Sequence, residues 1–356
     1  MDQQYTRRLQ SIEAALDRWL PDNPGSGWAA QMFTGLSANP LSAAHYLALT
    51  APGRDLLSRG GKRWRPLLMT LVCEALGGTE AVLPLAPLVE FCHNASLIHD
   101  DIEDNSDERR GRPAVHILHG VDAAINSGCF LYFLPLACID SWAADLETSG
   151  ILSPAASGAC RARVYALWGG YMRKLHLGQA IDIHWHRNFE PLPSIEEYLA
   201  MCALKTGCLA RFAAELGAAA AEIANLTKSA AASAQHFGEA AEKLGVGFQI
   251  LDDVKNLTTG LPGKKRGDDI VEGKKSLPVL LYLQRRPEKK EMVKKCFDAA
   301  RRGGVDSPQA AELIQAFLES GILGEAEEKG KVLIAEARTV FAEGGDLLSG
   351  LIDYIS

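Results

Sequence analysis

The hydrophobic positions of this chain recur mostly at the three- and four-residue spacing of α-helices. Runs of β-branched residues are short, and polar/apolar alternation over a strand length is hard to find. Ala and Leu, which favour helix, dominate the composition. We predict helices over residues 5–20, 67–76, 85–103, 161–183, 195–216, 227–257, 277–283, 290–302, 307–320 and 325–342.

The breaks between these segments contain Pro and Gly, but none is long or biased enough to be an interdomain linker. We therefore predict an all-α, single-domain bundle of about ten or more helices. Residues 1–50 are predicted to be an N-terminal helical appendage, and residues 51–356 to be the main domain. No repeat with a solenoid-like period is present.

The composition of the chain limits the kinds of protein that it could be. The 44 acidic residues outnumber 37 Lys and Arg, which gives a net charge of −7, and 47% of the 356 residues are hydrophobic. This balance describes a folded protein and argues against non-specific nucleic-acid binding, which needs a basic face. The N-terminal segment mixes charges with apolar positions, so no secretion signal is expected.

The longest uncharged run, residues 123–139, is interrupted by polar residues and Pro135. It is shorter than the roughly 20 residues that span a bilayer, so we interpret it as a buried helix and predict no membrane span. The eight cysteines are scattered through apolar segments without a CxxC pair. This is typical of reduced core residues, and we predict a cytoplasmic protein.

Three carboxylates share one face of a predicted helix in SLIHDDIEDNSDERRGR (residues 96–112). At about 100° per residue, Asp100, Asp101 and Asp104 lie within about 100° of one another. Such a concentration of negative charge is destabilising unless a cation binds there. Alone, the pattern is more typical of a solvated helix end.

A second acidic motif changes that interpretation. In GFQILDDVKNL (residues 247–257), Gln249, Asp252, Asp253 and Asn256 also share one helix face. Two buried helices that present carboxylates toward a common centre favour a divalent-metal site. Oxygen ligands without clustered Cys or His select a hard ion such as Mg²⁺, which completes its shell with water and phosphate oxygens. We therefore predict a diphosphate substrate.

Three basic groups near these motifs support a phosphate-bearing partner. Arginine matches phosphate oxygens with two parallel hydrogen bonds, and glycines allow close backbone approach. The aspartates interleaved with the basic residues argue against nucleic acid. The groups are Lys62, Arg63 and Arg65; Arg109, Arg110 and Arg112; and Lys264, Lys265, Arg266, Lys274 and Lys275.

With these motifs in order, the chain resembles the trans-isoprenyl diphosphate synthases, the polyprenyl synthetase family. The resemblance covers about residues 60–278 and rests on GGKRWRP, HNASLIHDDIEDN, RRGRPAVH, GQAIDIHW, KTG, GFQILDDVKN and DDIVEGKKSLP. The sequences of these motifs are most similar to those of the geranylgeranyl type. The resemblance implies an isoprenoid-synthase bundle around a central cavity, a homodimer and three Mg²⁺ per active site.

The resemblance also implies a role for each matching residue. Isopentenyl diphosphate would be held by Lys62, Arg65, His93 and Arg110. The first metal motif would be Asp100, Asp101 and Asp104, with Arg109 on the allylic diphosphate. Contacts to the allylic substrate or its cation would come from Gln179, Lys205, Thr206 and Gln249. The second metal motif would be Asp252, Asp253 and Asn256, with Lys265, Asp269 and Lys274 as phosphate and metal-water partners.

Asn256 departs from the resemblance, because many members have a third Asp there. Product length is predicted to depend on Ala95 and Ser96, which are small where members with shorter products have a bulky aromatic residue. The floor of the tunnel would then be Phe130, Tyr132 or Phe133. A product of twenty carbons or more is expected, and His99 is interpreted as a structural residue.

The predicted function is Mg²⁺-dependent head-to-tail condensation of isopentenyl diphosphate with dimethylallyl, geranyl or farnesyl diphosphate. A farnesyl-type synthase with shorter products and a non-catalytic regulatory subunit remain alternatives. A terpene cyclase or head-to-head synthase also uses aspartate-rich helices. Those classes do not need the second diphosphate pocket, or they build it differently, so GGKRWRP and His93 favour chain elongation.

Overall fold

The structure is a computed structural model that describes residues 3–35, 41–225, 231–260 and 265–356. Most of these residues are helical, which confirms the all-α prediction. Within the described ranges, β-structure is confined to strand β1 (Glu108–Arg109), which pairs antiparallel with β2 (Arg112–Pro113).

The helices run in this chain order: α1 Gln3–Trp19, α2 Ser26–Met32, α3 Ala43–Ser58, α4 Trp64–Ala75, α5 Ala86–Glu103, α6 Val115–His119, α7 Val121–Phe133, α8 Leu136–Thr148, α9 Pro154–Arg187, α10 Ile195–Cys202, α11 Cys208–Asn225, α12 Ala231–Thr258, α13 Asp268–Glu272, α14 Leu277–Arg285, α15 Lys290–Gly303, α16 Pro308–Ser320, α17 Ile322–Glu343 and α18 Asp346–Ile355. Short 3₁₀ turns occupy Glu80–Leu85 and Pro287–Lys289, and a π-helical turn occupies Ala203–Gly207.

Each predicted helix appears, most with ends within four residues of the prediction. Two differ more: α9 begins at Pro154, not at residue 161, and the single helix predicted over residues 195–216 is α10, a π-helical turn and α11, which ends at Asn225. Residues 227–230 of one prediction lie outside the described residues. The prediction of a single buried helix over residues 123–139 is wrong. The chain forms α7 and α8 there, with Pro135 as the residue before α8. The α7 surface is also partly open, since Ile125 is 43% exposed and Phe133 is 61% exposed.

The chain forms two compact units, each assembled from separate stretches of sequence. The first comprises Met1–Gly170, Phe212–Gly238 and Ala342–Ser356, and the second comprises Tyr171–Arg211 and Glu239–Phe341. Residues 1–50 belong to the first unit. The predicted boundary between an appendage and a catalytic domain at residue 50 stays a prediction.

The first unit is built around α4 and α5. Both helices are apolar on most sides, and residues 66–73 of α4 are all buried. Helix α5 packs against α1, α3, α4 and α7, and burial of its apolar side chains supplies the main stabilisation. This packing fixes the C-terminal end of α5, where the first aspartate motif lies.

The second unit has a separate core formed by α10 and α12 through α17. Tyr198, Ile250, Leu277 and Phe317 are among its buried residues, and the rings of Tyr282 and Phe317 meet edge to face at 5.1 Å. The core holds α10 and α12 in contact with one apolar cluster, so the polar residues on these two helices keep fixed positions.

Two helical stretches in the described residues, Glu80–Glu103 and Val121–Thr148, are long and apolar enough to cross a membrane by length and composition. Of their most apolar windows, 67% and 50% are buried within the fold. Core helices of soluble proteins meet the same criterion, so the predicted absence of a membrane span stays a prediction.

Candidate active site

The first aspartate motif lies at the C-terminal end of α5, in the first unit. Asp101 is completely buried, and Arg109 donates from Nε to its Oδ1 at 2.8 Å and from Nη2 to the same oxygen. The Arg109 Nη2 atom is 3.7 Å from Asp100 Oδ2, and the Asp100 side chain is 18% exposed. Asp104 is half-buried at the helix end. The three predicted carboxylates therefore have different environments.

A tight hairpin brings Arg109 back to α5. In the RRGR segment, Arg109 pairs with Arg112 across the turn, while Arg110 and Gly111 adopt φ values of 54° and 71°. Positive φ at both central residues defines a type I′ turn, which favours Gly at the second position. Because of this turn, Arg109 and Arg110 point to different partners.

Arg110 reaches the last turn of α3 and the loop before α4. Its Nη1 donates to the carbonyl oxygens of Leu56, at 3.2 Å, and Gly60. Burial lowers the pKa of Arg110 to about 10. The side chain stays protonated at neutral pH and adds positive charge beside GGKRWRP.

His93 lies within this positive region. Its Nε2 is 3.4 Å from Arg65 Nη1, and the Arg65 guanidinium stacks over the Trp64 ring at 4.4 Å. Burial, followed by the charges of Arg65 and Arg110, holds the pKa of His93 well below its usual range. The imidazole is therefore neutral at pH 7 and can share hydrogen bonds with an anion that the arginines attract.

Lys62 and Arg63 have different surroundings although they are adjacent. Lys62 is exposed, and its Nζ donates to the Ile355 carbonyl at the end of α18, at 2.7 Å. Arg63 is buried and donates to Glu90 at 2.9 Å and Glu13 at 2.7 Å. Arg63 therefore stabilises the fold, and its predicted inclusion in a phosphate-binding group does not match this burial.

The predicted chain-length residues occupy the preceding turns of α5. Ala95 is fully buried, and Ser96 donates from Oγ to the His93 carbonyl at 2.8 Å. The ring of His99 stacks parallel on Tyr132, with centroids 5.7 Å apart. Tyr132 is 8% exposed, whereas Phe133 is 61% exposed. Of these two floor candidates, Tyr132 is the buried one.

The second aspartate motif lies on α12, in the second unit. Asp253 accepts hydrogen bonds from the Tyr198 hydroxyl at 2.7 Å and from Gln249 Nε2 at 2.9 Å. Burial, together with the charge of Asp269, raises the pKa of Asp253. Its neighbour Asp252 is exposed, so the two carboxylates of the motif differ in the same way as Asp100 and Asp101.

The KTG segment (residues 205–207) is the second part of the π-helical turn between α10 and α11. Thr206 donates from Oγ1 to Gln249 Oε1 at 2.8 Å, and Lys205 Nζ donates to Asp182 Oδ2 at 2.6 Å. π turns often mark functional sites, because they change the direction of side chains within a helix. Here adjacent residues bond to two different helices. Gln179, also predicted to contact the substrate, is half-buried on α9.

Asn256 is completely buried and connects α12 to the following loop. Its Oδ1 accepts from the Asp269 backbone N–H at 3.2 Å, and its Nδ2 donates to the Lys265 carbonyl at 3.5 Å. The Gly267 N–H donates to the Asn256 backbone carbonyl at 2.9 Å. The side chain that is predicted to bind metal thus holds the loop residue Lys265 and the start of α13, which carries Asp269. Its metal-ligand role stays a prediction.

The residues of the third basic group, between Lys264 and Lys275, lie in different environments. Lys274 Nζ is 2.7 Å from Glu272 and 3.5 Å from Asp269. Lys275 is buried, donates to the carbonyls of Trp185 and Gly273, and lies over two aromatic rings. Lys275 is therefore a structural residue. Lys265 is exposed, and Lys264 lies outside the described residues.

Three polar residues of these networks were missed in the sequence. Asp182 pairs with Lys205, Tyr198 donates to Asp253, and Glu90 pairs with Arg63. Asp182 and Glu90 each interrupt an apolar helical stretch. A buried charge of this kind needs a partner, so that interruption was an available signal.

Within the described ranges, no three His, Cys, Asp or Glu side chains gather closely enough to hold a metal ion by themselves. Mg²⁺ commonly takes one or two carboxylates from the protein and the remainder from water and substrate phosphates. The donor set is oxygen only, and Asp100 and Asp252 retain solvent exposure. The residues present are compatible with Mg²⁺ bound together with a diphosphate.

The two aspartate-bearing helices and the arginines near His93 suit an enzyme that binds diphosphates. The chain belongs to the polyprenyl synthetase family, whose sequence profile matches residues 47–314. It is therefore a transferase of the prenyl diphosphate synthase kind.

Similar proteins include enzymes with named products. The chain is 32% identical to geranylfarnesyl diphosphate synthase from Aeropyrum pernix, over 86% of this chain and 93% of that protein. It is 36% identical to geranylgeranyl diphosphate synthase from Methanosarcina mazei, over 64% and 65%. The crystal structure of geranylgeranyl pyrophosphate synthetase from Pyrococcus horikoshii matches with a TM-score of 0.78 and 26% identity, over 99% and 97%.

Proposed function

We propose that this protein is a Mg²⁺-dependent trans-prenyltransferase that condenses an allylic diphosphate with isopentenyl diphosphate to give a product of twenty carbons or more. The observation that carries the proposal is the arginine-surrounded, neutral His93 in the same unit as the first aspartate motif. A positively charged region of this kind suits a second diphosphate, which chain elongation requires.

The protein's own residues would bind and orient the two substrates. Arg65, Arg110 and His93 would hold the diphosphate of isopentenyl diphosphate, and Arg109 would contact the allylic diphosphate. Fixing two reactants in this way converts a bimolecular reaction into an effectively unimolecular one. Breaking the allylic C–O bond gives a cation, which the double bond of isopentenyl diphosphate attacks before a proton is lost to the departing pyrophosphate.

The proposed Mg²⁺ ligands are Asp100 and Asp104 in the first motif and, separately, Asp252 in the second motif, and three Mg²⁺ per active site are proposed. When bound, Mg²⁺ would neutralise the departing pyrophosphate and make it a better leaving group. Asp101 and Asp253 would act mainly through Arg109 and Gln249, because their oxygens accept hydrogen bonds from these side chains.

The proposed product length has two supports. The relatives include enzymes named for geranylgeranyl and geranylfarnesyl products, and Ala95 and Ser96 are small residues at the turn before Asp100. Small residues leave room for a longer prenyl chain. Dimethylallyl, geranyl and farnesyl diphosphates are the proposed allylic substrates.

We also propose a homodimer in the cytoplasm. Helices α6 and α7 carry an exposed apolar stripe made of Ile117, Leu118, Val121, Ile125, Cys129 and Phe133. The last four follow one another every fourth residue and so share one face of α7. A second copy of the same face would cover this apolar surface.

The function is tested by incubating the protein and Mg²⁺ with labelled isopentenyl diphosphate and each of the three allylic primers. Chromatography of the dephosphorylated products should show chains of twenty carbons or more. A fifteen-carbon product alone would support the farnesyl-type alternative. No product in any reaction would support a regulatory subunit, and Asp101→Ala should abolish turnover only if the chain is an enzyme.

A further inference from the structure

Asp182 and Lys205 form a largely buried ion pair in the second unit. The Lys205 Nζ donates to Asp182 Oδ2 at 2.6 Å, and the Lys205 and Asp182 side chains are 18% and 8% exposed. Asp182 lies in the GQAIDIHW segment of α9, and Lys205 lies in the π-helical turn. The bond joins two elements whose facing residues are more than twenty positions apart in the chain.

The same two elements also touch through their backbones. Gly178 lies one helical turn before Asp182, and a Cβ atom at Gly178 would be only 2.4 Å from the Lys205 backbone nitrogen. Only glycine therefore allows α9 to approach the π turn this closely. Lys205 is fixed at its backbone by this contact and at its ammonium group by Asp182.

Charge favours this arrangement. Burial alone would raise the pKa of Asp182, but the charges of Lys205 and Lys274 hold the pKa below its usual range. Asp182 is therefore an anion at neutral pH. A buried carboxylate costs much less when a nearby ammonium group pairs with it, so the pair keeps Lys205 at this position.

The surroundings place this pair beside the candidate catalytic residues. Asp182, Lys205, Gln249, Asp253 and Lys274 line one small cavity of the second unit. The next residue, Thr206, donates to Gln249 and not to α9. In this cavity the Asp182 carboxylate therefore provides an acceptor for the Lys205 ammonium group.

We propose that Asp182 is a positioning residue that orients Lys205 toward the allylic substrate, without itself contacting that substrate. The inference rests on the proposed prenyltransferase function. An ammonium group displaced by about 1 Å from a reacting centre can cost about 100-fold in rate. Loss of the Asp182 carboxylate should therefore lower turnover about as much as loss of the Lys205 ammonium group.

A double-mutant cycle tests the proposal in the full-length protein. Asp182→Asn and Lys205→Gln should each lower kcat with the allylic substrate by about 10- to 100-fold, and the double variant should be no slower than Lys205→Gln alone. The KM for isopentenyl diphosphate should not change. Asp182→Glu should restore part of the activity. Multiplicative losses in the double variant, or full activity in Asp182→Asn, would overturn the proposal.

The controls separate positioning from general damage. Glu336→Gln breaks a carboxylate–lysine pair of similar length, 2.7 Å to Lys243, on the surface of the same unit, and should leave kcat unchanged. If Asp182→Asn does not fold, Asp182→Asn/Lys205→Gln removes both buried charges and is compared with Lys205→Gln. The wild-type enzyme is assayed in parallel. An inactive wild type would reject the proposed function. An active wild type with an equally active Asp182→Asn variant would reject only the positioning role of Asp182.

Discussion

Arg109 and Asp101 form a nearly buried pair across a tight hairpin, with Arg109 Nε 2.8 Å from Asp101 Oδ1. The Asp101 side chain is 0% exposed, and that of Arg109 is 18% exposed. The middle carboxylate of the first aspartate motif is therefore neutralised by the protein itself. Its neighbours Asp100 and Asp104 remain the stronger candidates for metal binding.

This pair predicts a stability effect without any substrate. Arg109→Ala should lower the free energy of unfolding by about 3 kcal/mol, because it leaves the Asp101 carboxylate buried without its guanidinium partner. Urea unfolding measures the change. Arg112→Ala in the same hairpin is the matched control, since Arg112 is 54% exposed and its surface ion pair should contribute less than about 1 kcal/mol. Equal losses in the two variants would contradict the special role of the buried pair.

Asn256 offers a second stability test that is independent of metal. Asn256→Ala should lower the free energy of unfolding in EDTA by about 1–3 kcal/mol, because the buried Asp269 N–H loses its acceptor. Asp252→Ala is the matched control, since Asp252 is exposed on the same motif and should change stability little under these conditions. An unchanged Asn256→Ala protein in EDTA would favour a role in metal binding alone.

Product length should respond to the buried ring beside the first motif. Tyr132→Ala should lengthen the product by at least one five-carbon unit, because it removes the aromatic ring stacked on His99. Ser96→Phe should shorten the product by adding a ring one turn before Asp100. Chromatography of the dephosphorylated products measures both effects.

Phe133→Ala provides the control for this series. Phe133 is 61% exposed, so its truncation should leave the product distribution unchanged in a tunnel that ends at Tyr132. A longer product from Phe133→Ala, with an unchanged product from Tyr132→Ala, would show that Phe133 and not Tyr132 ends the tunnel.

Thiol reactivity should report on the proposed dimer. Seven of the eight cysteines are buried, and Cys129 is exposed on the α6–α7 stripe. Burial raises the pKa of Cys73 to about 12, so this thiol stays protonated and unreactive at pH 8. If the stripe is covered by a second copy, the wild-type protein should show no fast-reacting thiol.

Ile125→Asp tests the same surface. A charge on the apolar stripe should separate the copies and expose one fast-reacting thiol, which Cys129→Ser should then remove. Analytical ultracentrifugation measures the mass in parallel. A wild-type protein that is monomeric with one fast-reacting thiol would reject this interface.

The sequence alone determined the all-helical class, most helix positions, the two aspartate motifs and the family. These features depend on local spacing and on residue type, which the tertiary structure does not alter. The boundary between α7 and α8 was missed, although Pro135 lies beside it. An apolar run does not reveal which of its faces will be covered.

Only the tertiary structure decided what each charged side chain does. Arg63 and Arg65 are two positions apart, yet Arg63 is buried against Glu13 and Glu90 while Arg65 faces His93. Adjacent Lys274 and Lys275 also have different partners: Lys274 pairs with Glu272, whereas Lys275 is buried and donates to the Trp185 carbonyl. The partners lie on distant parts of the chain, and their approach depends on how the helices pack. Spacing along the sequence can place a charge on a helix face, but burial and long-range pairing determine whether that charge supports the fold or the site.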